Sequence, residues 1–498
     1  MTTYSKSSID RRTFFESLEQ RQLMAVSEIH DLTIDPNNAN GRPAFDFAVS
    51  NGVGFFTRWG DGSIGSLWTT DGVTATEVGP GPPDTFRKLF PVQGGVVGLR
   101  DGIPSQLWRS DGTAAGTFSL GNVAGVHTTL GTVDPILNLR GHVYINDENF
   151  NAGIYESDGN TLVFRGRALG AWGGGAEYSN GIVFNTFVYP DGSGLYTLDN
   201  AGVFTKFIDQ PTLGGFPDAP FNVEGGIVFL VRKDNDVFTK YSLWRTDGIA
   251  ANTVPLHATF GDARFVAVVG SDKQRALIQV IDQKGRESLW STDGTSQGTR
   301  VIQERLKGDD VTMIGNTDGH TLFVVREDSS ANTGTLWSTD GTPGTTHPLT
   351  ELDPYPFAGV QFPVPQQGEL AMQTAGGVTY FVNTDAAHGW EIWRTDGTRK
   401  GTGLAFDLVP GPGSAQPVLD GIVGDRLIFN ATLEGHRGLF GLDLIPSPSP
   451  IRPPTFSPAP MPFSNMQIFS RPGGEGVSAA DLLTSSMSDV MGPEFGQM

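Results

Sequence analysis

Leu289-Trp290-Ser291-Thr292-Asp293-Gly294-Thr295, completed by Gly298-Thr299, is a short apolar strand running into an Asp-Gly turn. Glycine supplies the positive φ of such a turn, and the aspartate can accept the turn's own N–H groups, so the pair marks a hairpin. The stretch recurs as LWTTDG from Leu67, LWRSDG from Leu107, IYESDG from Ile154, LYTLDN from Leu195, LWRTDG from Leu243, LWSTDG from Leu336, IWRTDG from Ile392 and a worn LFGLDL from Leu439. Nine copies are therefore visible, and their aspartates lie about 40 to 56 residues apart, the period of a four-stranded propeller blade.

Each unit repeats one grammar. An apolar stretch ending at a glycine (Phe221 to Gly226, Val418 to Gly424) reads as a first strand, and a second apolar run (Ile227 to Val231, Leu427 to Phe429) as the next. The third is the Leu-Trp segment, where alternation sends Leu243 and Arg245 to one face and Trp244 and Thr246 to the other. Thr299 to Ile302 is a fourth. Solenoid coils are usually shorter than this period, and independent sandwiches need about twice the length. The expected fold is all-β: a single β-propeller of nine four-stranded blades, with eight as the alternative count.

The ends of the chain bear on closure. The ninth unit runs into Ile445-Pro446-Ser447-Pro448 and leaves no fourth strand, whereas Glu28 to Pro36 resembles the fourth strand and Pro turn at Gly403 to Pro410. A strand missing at one end and present at the other predicts a ring sealed by the N-terminal strand, with no open sheet edge at the join. The organisation expected is an export or sorting-type segment at 1–26, the propeller at 27–445 and a disordered Pro/Ser/Gly-rich tail at 446–498, with a short helix around Ala479 to Met487.

With 66 glycines and 32 prolines, the 498 residues suit many short strands joined by turns. The 34 basic and 54 acidic residues give a net charge of −20, which argues against nucleic acid and anionic lipid as partners. There is no cysteine, hence no disulfide or thiolate metal site, and no apolar run long enough for a membrane-spanning helix.

His388-Gly389-Trp390-Glu391-Ile392-Trp393-Arg394-Thr395-Asp396-Gly397-Thr398, with Gly401-Thr402 and Pro410-Gly411, resembles the bacterial ELWxxDGT (hyalin-like) repeat. The copies at Leu107, Leu289 and Leu336 match too, with Gly116-Thr117, Gly298-Thr299 and Gly344-Thr345 in place, and the likeness spans roughly residues 28 to 444. It departs at Tyr155, Tyr196, Asn200 and Phe440. Phe15 to Met24 resembles the planctomycete LEPR-XLL export-type motif, with Gln20 in place of its proline and Met24 of its last leucine. The two resemblances imply an extracellular or cell-surface protein, and the family leaves activity open.

Asp71, Asp111, Asp158, Asp199, Asp247, Asp293, Asp340 and Asp396 could ring a metal or a sugar, but an Asp-Gly turn needs its aspartate for its own backbone, so they read as structural turn residues. Trp68, Trp108, Trp244, Trp290, Trp337 and Trp393 could stack on sugars, but their fixed place in the repeat reads as core between blades. The eight histidines are scattered without zinc spacing, and neither a GxSxG elbow nor a thiol nucleophile exists. No catalytic residue and no cofactor is assigned. Calcium is the one metal considered, for the acidic loops Asp234-Asn235-Asp236 and Asp147-Glu148-Asn149. The functional expectation is a monomeric, non-catalytic module presenting loops to a glycan or protein ligand. The alternative is a carbohydrate-active lyase or glycoside hydrolase with carboxylates at the central channel.

Overall fold

The computed structural model of the chain describes residues 26–31 and 46–444 except 58–65, 79–85, 101–104, 124–134, 140, 147–152, 168–174, 189–190, 219, 234–239, 270–274, 283, 305–309, 318, 327–333 and 353–371. The chain divides into units 1–467 and 468–498, and the second lies wholly outside the described residues. So do the export-type motif and the whole of the expected tail, with the short helix expected around Ala479 to Met487.

Nine antiparallel sheets follow one another along the chain, at 47–77, 86–123, 135–167, 175–209, 216–260, 262–304, 310–352, 373–406 and 418–443. These are blades 1 to 9. Blade 6 shows the pattern: strands Asp262–Val269, Arg275–Ile281, Glu287–Thr292 and Arg300–Glu304 pair in order, with Ile278 opposite Trp290 and Trp290 opposite Val301. Blade 5 departs from it, because its first strand is broken into Phe216–Pro217 and Phe221–Val223, both paired with Gly226–Lys233. The Asp218 N–H donates to the Leu230 carbonyl at 2.7 Å and keeps the ladder running at the break.

Alternation along the strands assembles the ring. In the third strand Leu289 packs toward blade 7, with Phe323 and Val325, and its neighbour Trp290 packs toward blade 5, with Leu243 and Val228. Every blade repeats this, down to Leu439 facing blade 1 and Phe440 facing blade 8. Among the described residues the buried apolar side chains consequently form nine separate clusters, one per seam between adjacent blades. The ninth cluster joins Val423, Ile428 and Leu439 of blade 9 to Phe56 and Trp68 of blade 1 and closes the circle, so the count is nine and the alternative of eight falls. First strands of neighbouring blades lie against one another round the axis, as Phe47–Ser50 does against Val418–Val423.

Blade 9 receives its fourth strand from the N-terminus: Val26–Asp31 pairs antiparallel with His436–Asp443, Val26 opposite Leu442 and Asp31 opposite Gly438. In blades 2 to 8 the fourth strand carries one extra residue opposite the Leu-Trp step, as at Ile302 and Ala405, and the N-terminal strand carries its own at Ile29. Ile29 therefore matches Ala405. Anchored on the Pro turns instead of on this bulge, the likeness of Glu28–Pro36 to Gly403–Pro410 places the strand later in the chain; residues 32–45 lie outside the described residues.

Candidate functional site

The Asp-Gly turns have the same construction throughout. Asp293 Oδ1 accepts the Thr295 N–H at 2.9 Å and the Thr295 hydroxyl at 2.7 Å, and the same backbone bond recurs at Asp71, Asp111, Asp158, Asp199, Asp247, Asp340 and Asp396. At Asp71 the N–H groups of Thr74 and Val73, and at Asp111 the Thr113 hydroxyl and N–H, hold the carboxyl below the usual carboxylate range. At Asp293 burial opposes these bonds and is outweighed by them together with the Arg275 guanidinium, 3.1 Å away.

The turn glycines pack against the preceding blade. Gly294 has φ +86°, and a Cβ there would meet Val223 at 2.9 Å; Gly397 lies in the same way against His320 and Thr317 of blade 7. The tryptophans occupy the same seams, and Trp68, Trp244 and Trp290 donate their indole N–H to the serine two residues earlier. Trp108 donates likewise to Gln106, and Trp337 and Trp393 pack in the seams of blades 6 with 7 and 7 with 8.

Sequence reasoning passed over a second repeated set, the hydroxyl residue before each aspartate. Thr292 Oγ1 accepts the Gly294 N–H and lies 2.7 Å from Thr299 Oγ1, whose hydroxyl donates to the Thr295 carbonyl. Thr395 and Thr402 repeat this, and in blade 7 the partner of Thr339 is Thr346, one residue beyond the Gly-Thr pair noted in the sequence. The signal was present, since the DGTxxGT pattern spaces these hydroxyls by seven residues.

Acidic side chains outside the Asp-Gly turns are packed differently in blades 3, 8 and 9. In blade 3, Glu156 is buried with His142 Nδ1 at 2.5 Å, the Arg165 Nε at 2.6 Å and the Tyr144 hydroxyl at 3.3 Å. In blade 8, Glu391 is fully buried and accepts N–H groups of Leu408, Val409 and Ala415, which fastens the connection to blade 9; burial still pushes its pKa up to about 7.

In blade 9, Asp420 is the bulged residue of the innermost strand, between Leu419 and Gly421. Asn430 Nδ2 donates to both its oxygens at 3.1 Å, and Arg437 donates to Asn430 Oδ1. Burial pushes the Asp420 carboxyl up to about 8 against these partners, which favours its protonated form. Asn430 stands opposite Leu439, which places the cluster on the blade 1 side of the sheet, beside the axis. A lone Asp in the apolar run Val418-Leu419-Asp420-Gly421-Ile422-Val423 was the available sign. Asp420, Asn430 and Arg437 form the candidate site.

Among the described residues no group of three or more His, Asp or Glu is placed to hold a metal ion, and no helix is long and apolar enough to cross a membrane. Both acidic loops considered for calcium lie outside the described residues.

No protein-family model matches the chain, and no curated protein matches it. Among solved structures it is similar to the computationally designed Ika8 protein, at 12% identity and TM-score 0.38 over 83% of this chain and 99% of that one. It is also similar to puromycin hydrolase, at 14% identity and TM-score 0.37 over 81% of this chain and 61% of that one. A third is the β-propeller domain of the Trilobed protease from Pyrococcus furiosus, at 12% identity and TM-score 0.31 over 61% and 89%. At these values the fold rests on this chain's own strand topology.

Proposed function

We propose that the chain is a non-catalytic, extracellular or cell-surface binding module of the ELWxxDGT kind, monomeric, presenting its loops to a glycan or a protein. The observation that supports this reading is that the repeated polar and aromatic side chains serve the fold itself: the aspartates, several of them exposed, bond their own turns, and the tryptophans pack in the seams. Variation is left to the connections between second and third strands and between blades, which start and end at the rim opposite the Asp-Gly turns. Screening the purified chain on a glycan array is the direct test: saturable binding without turnover is expected, and cytosolic recovery of all native protein with residues 1–24 intact would overturn the export reading.

A carbohydrate-active enzyme is the second reading, and one observation favours it: a carboxyl, that of Asp420, stands on the innermost strand, where burial raises its pKa. A hydrolase would also need a second carboxyl at about 5–10 Å. New reducing or unsaturated ends released from a polysaccharide by the native chain, but not by Asp420→Asn, would decide for the enzyme.

A further inference from the structure

In blades 1 to 8 the third and fourth strands are joined covalently through the turn, whereas in blade 9 the third strand ends at Asp443 and the fourth strand comes from the other end of the chain. Arg426 stands at this gap with its side chain buried. Its Nη2 donates to Ser27 Oγ of the N-terminal strand and to the Gly441 carbonyl of the third strand, both at 2.8 Å. Its Nη1 donates to the Gly72 carbonyl of blade 1's Asp-Gly turn at 2.7 Å, and its Nε lies 2.8 Å from Asp443. One guanidinium thus touches both strands that no turn connects, and the next blade as well.

Blade 6 provides the comparison. Arg275, next to the Ala276–Thr292 pair of that blade, bonds Asp293 and the Gly298 carbonyl of its own intact turn and Ser291 of the third strand that leads into it.

We propose that Arg426 is a latch that replaces the missing turn, reaching past strand His436–Asp443 to the strand beyond it, and that the outer edge of His436–Asp443 is a strand-addition site holding residues 26–31 as an extended peptide ligand. Main-chain pairing provides the general affinity of such a site, and the guanidinium selects a small hydroxyl at the Ser27 position. Further contacts fix the register: His436 Nε2 lies 3.3 Å from Glu28 Oε1, and the His30 ring lies against Trp68 of blade 1 with centroids 4.3 Å apart.

The test uses the full chain with a recognition sequence for a specific protease inserted after Asn40, cut while folded. Retention of the N-terminal fragment is followed by size exclusion, and exchange by entry of a labelled synthetic peptide of residues 24–36. The cut native ring should keep its fragment and take up the peptide slowly. Arg426→Met should release the fragment about ten-fold faster or more, the scale of a lost charge-assisted hydrogen bond, whereas Arg275→Met should release it at the native rate. Ser27→Ala, which leaves the ring's own residues untouched, should speed release several-fold and serves if Arg426→Met does not fold. Immediate loss of the fragment from the cut native ring, equal release by Arg275→Met and Arg426→Met, or unchanged release in both Arg426→Met and Ser27→Ala would overturn the proposal.

Discussion

At the scale of single residues, the chain uses carboxylates in two opposite ways. In the Asp-Gly turns the charge is welcomed by N–H groups and hydroxyls, and Asp293→Ala should lower unfolding stability by roughly 0.5 to 2 kcal/mol while leaving ligand affinity nearly unchanged, as checked by denaturant melts and binding on the same samples. Lost binding at unchanged stability would make that aspartate a ligand-contacting residue. At Asp420 the charge is resisted. Its folded pKa, about 8, lies above the ordinary aspartate value of 3.8, so the folded state holds the proton more tightly. That contribution is fully present below the unfolded pKa and is lost as the pH rises through about 8. Melting temperatures of the native chain should therefore fall from about pH 4 to about pH 8 and level off above, and Asp420→Asn should flatten the decline, with the part due to Glu391 remaining. An identical decline in the variant would remove Asp420 as its source. The repeated turn aspartates were legible in the sequence because repetition exposes them. Asp420 and Glu391 occur once each, and their character comes from what the ring packs around them.

At the scale of elements, periodicity and turn chemistry revealed most of the strands, and the Leu-Trp alternation matches the two faces that each third strand buries. Two features escaped. The first is the bulge opposite the Leu-Trp step, which alternation alone cannot register because it inserts one residue without changing composition. The second is the division of the first strand of blade 5, a local break at Asp218 in an otherwise regular unit. The N-terminal strand shows the consequence of the bulge: its existence and partner were readable, but its register was not. Deleting residues 26–36 should expose the edge of His436–Asp443 and remove Ile29 from the last seam. Light scattering and thermal melts should then report aggregation or a lower midpoint, and an unaltered monomer with native melting would show that this strand is dispensable.

At the scale of the whole molecule, nine seams make nine cores, and the ring exists only if the last seam is as well packed as the rest. Val423, Ile428, Leu439, Phe56 and Trp68 meet there across nearly the full length of the propeller sequence. The fold was legible because every unit states the same instruction. Function was not, since what is repeated serves the ring and a ligand site needs an exception to the repeat. The closure is tested most directly by an engineered disulfide, and a cysteine-free chain makes the result unambiguous. Asp31 and Gly438 are direct partners in the pairing of the first and last strands. The double variant Asp31→Cys with Gly438→Cys should form an intramolecular disulfide under mild oxidation, migrate faster on a non-reducing gel and melt higher, reversibly with reductant. The closure account is contradicted if that bond fails to form while Asp31→Cys instead cross-links to Ala75→Cys on the outer strand of blade 1.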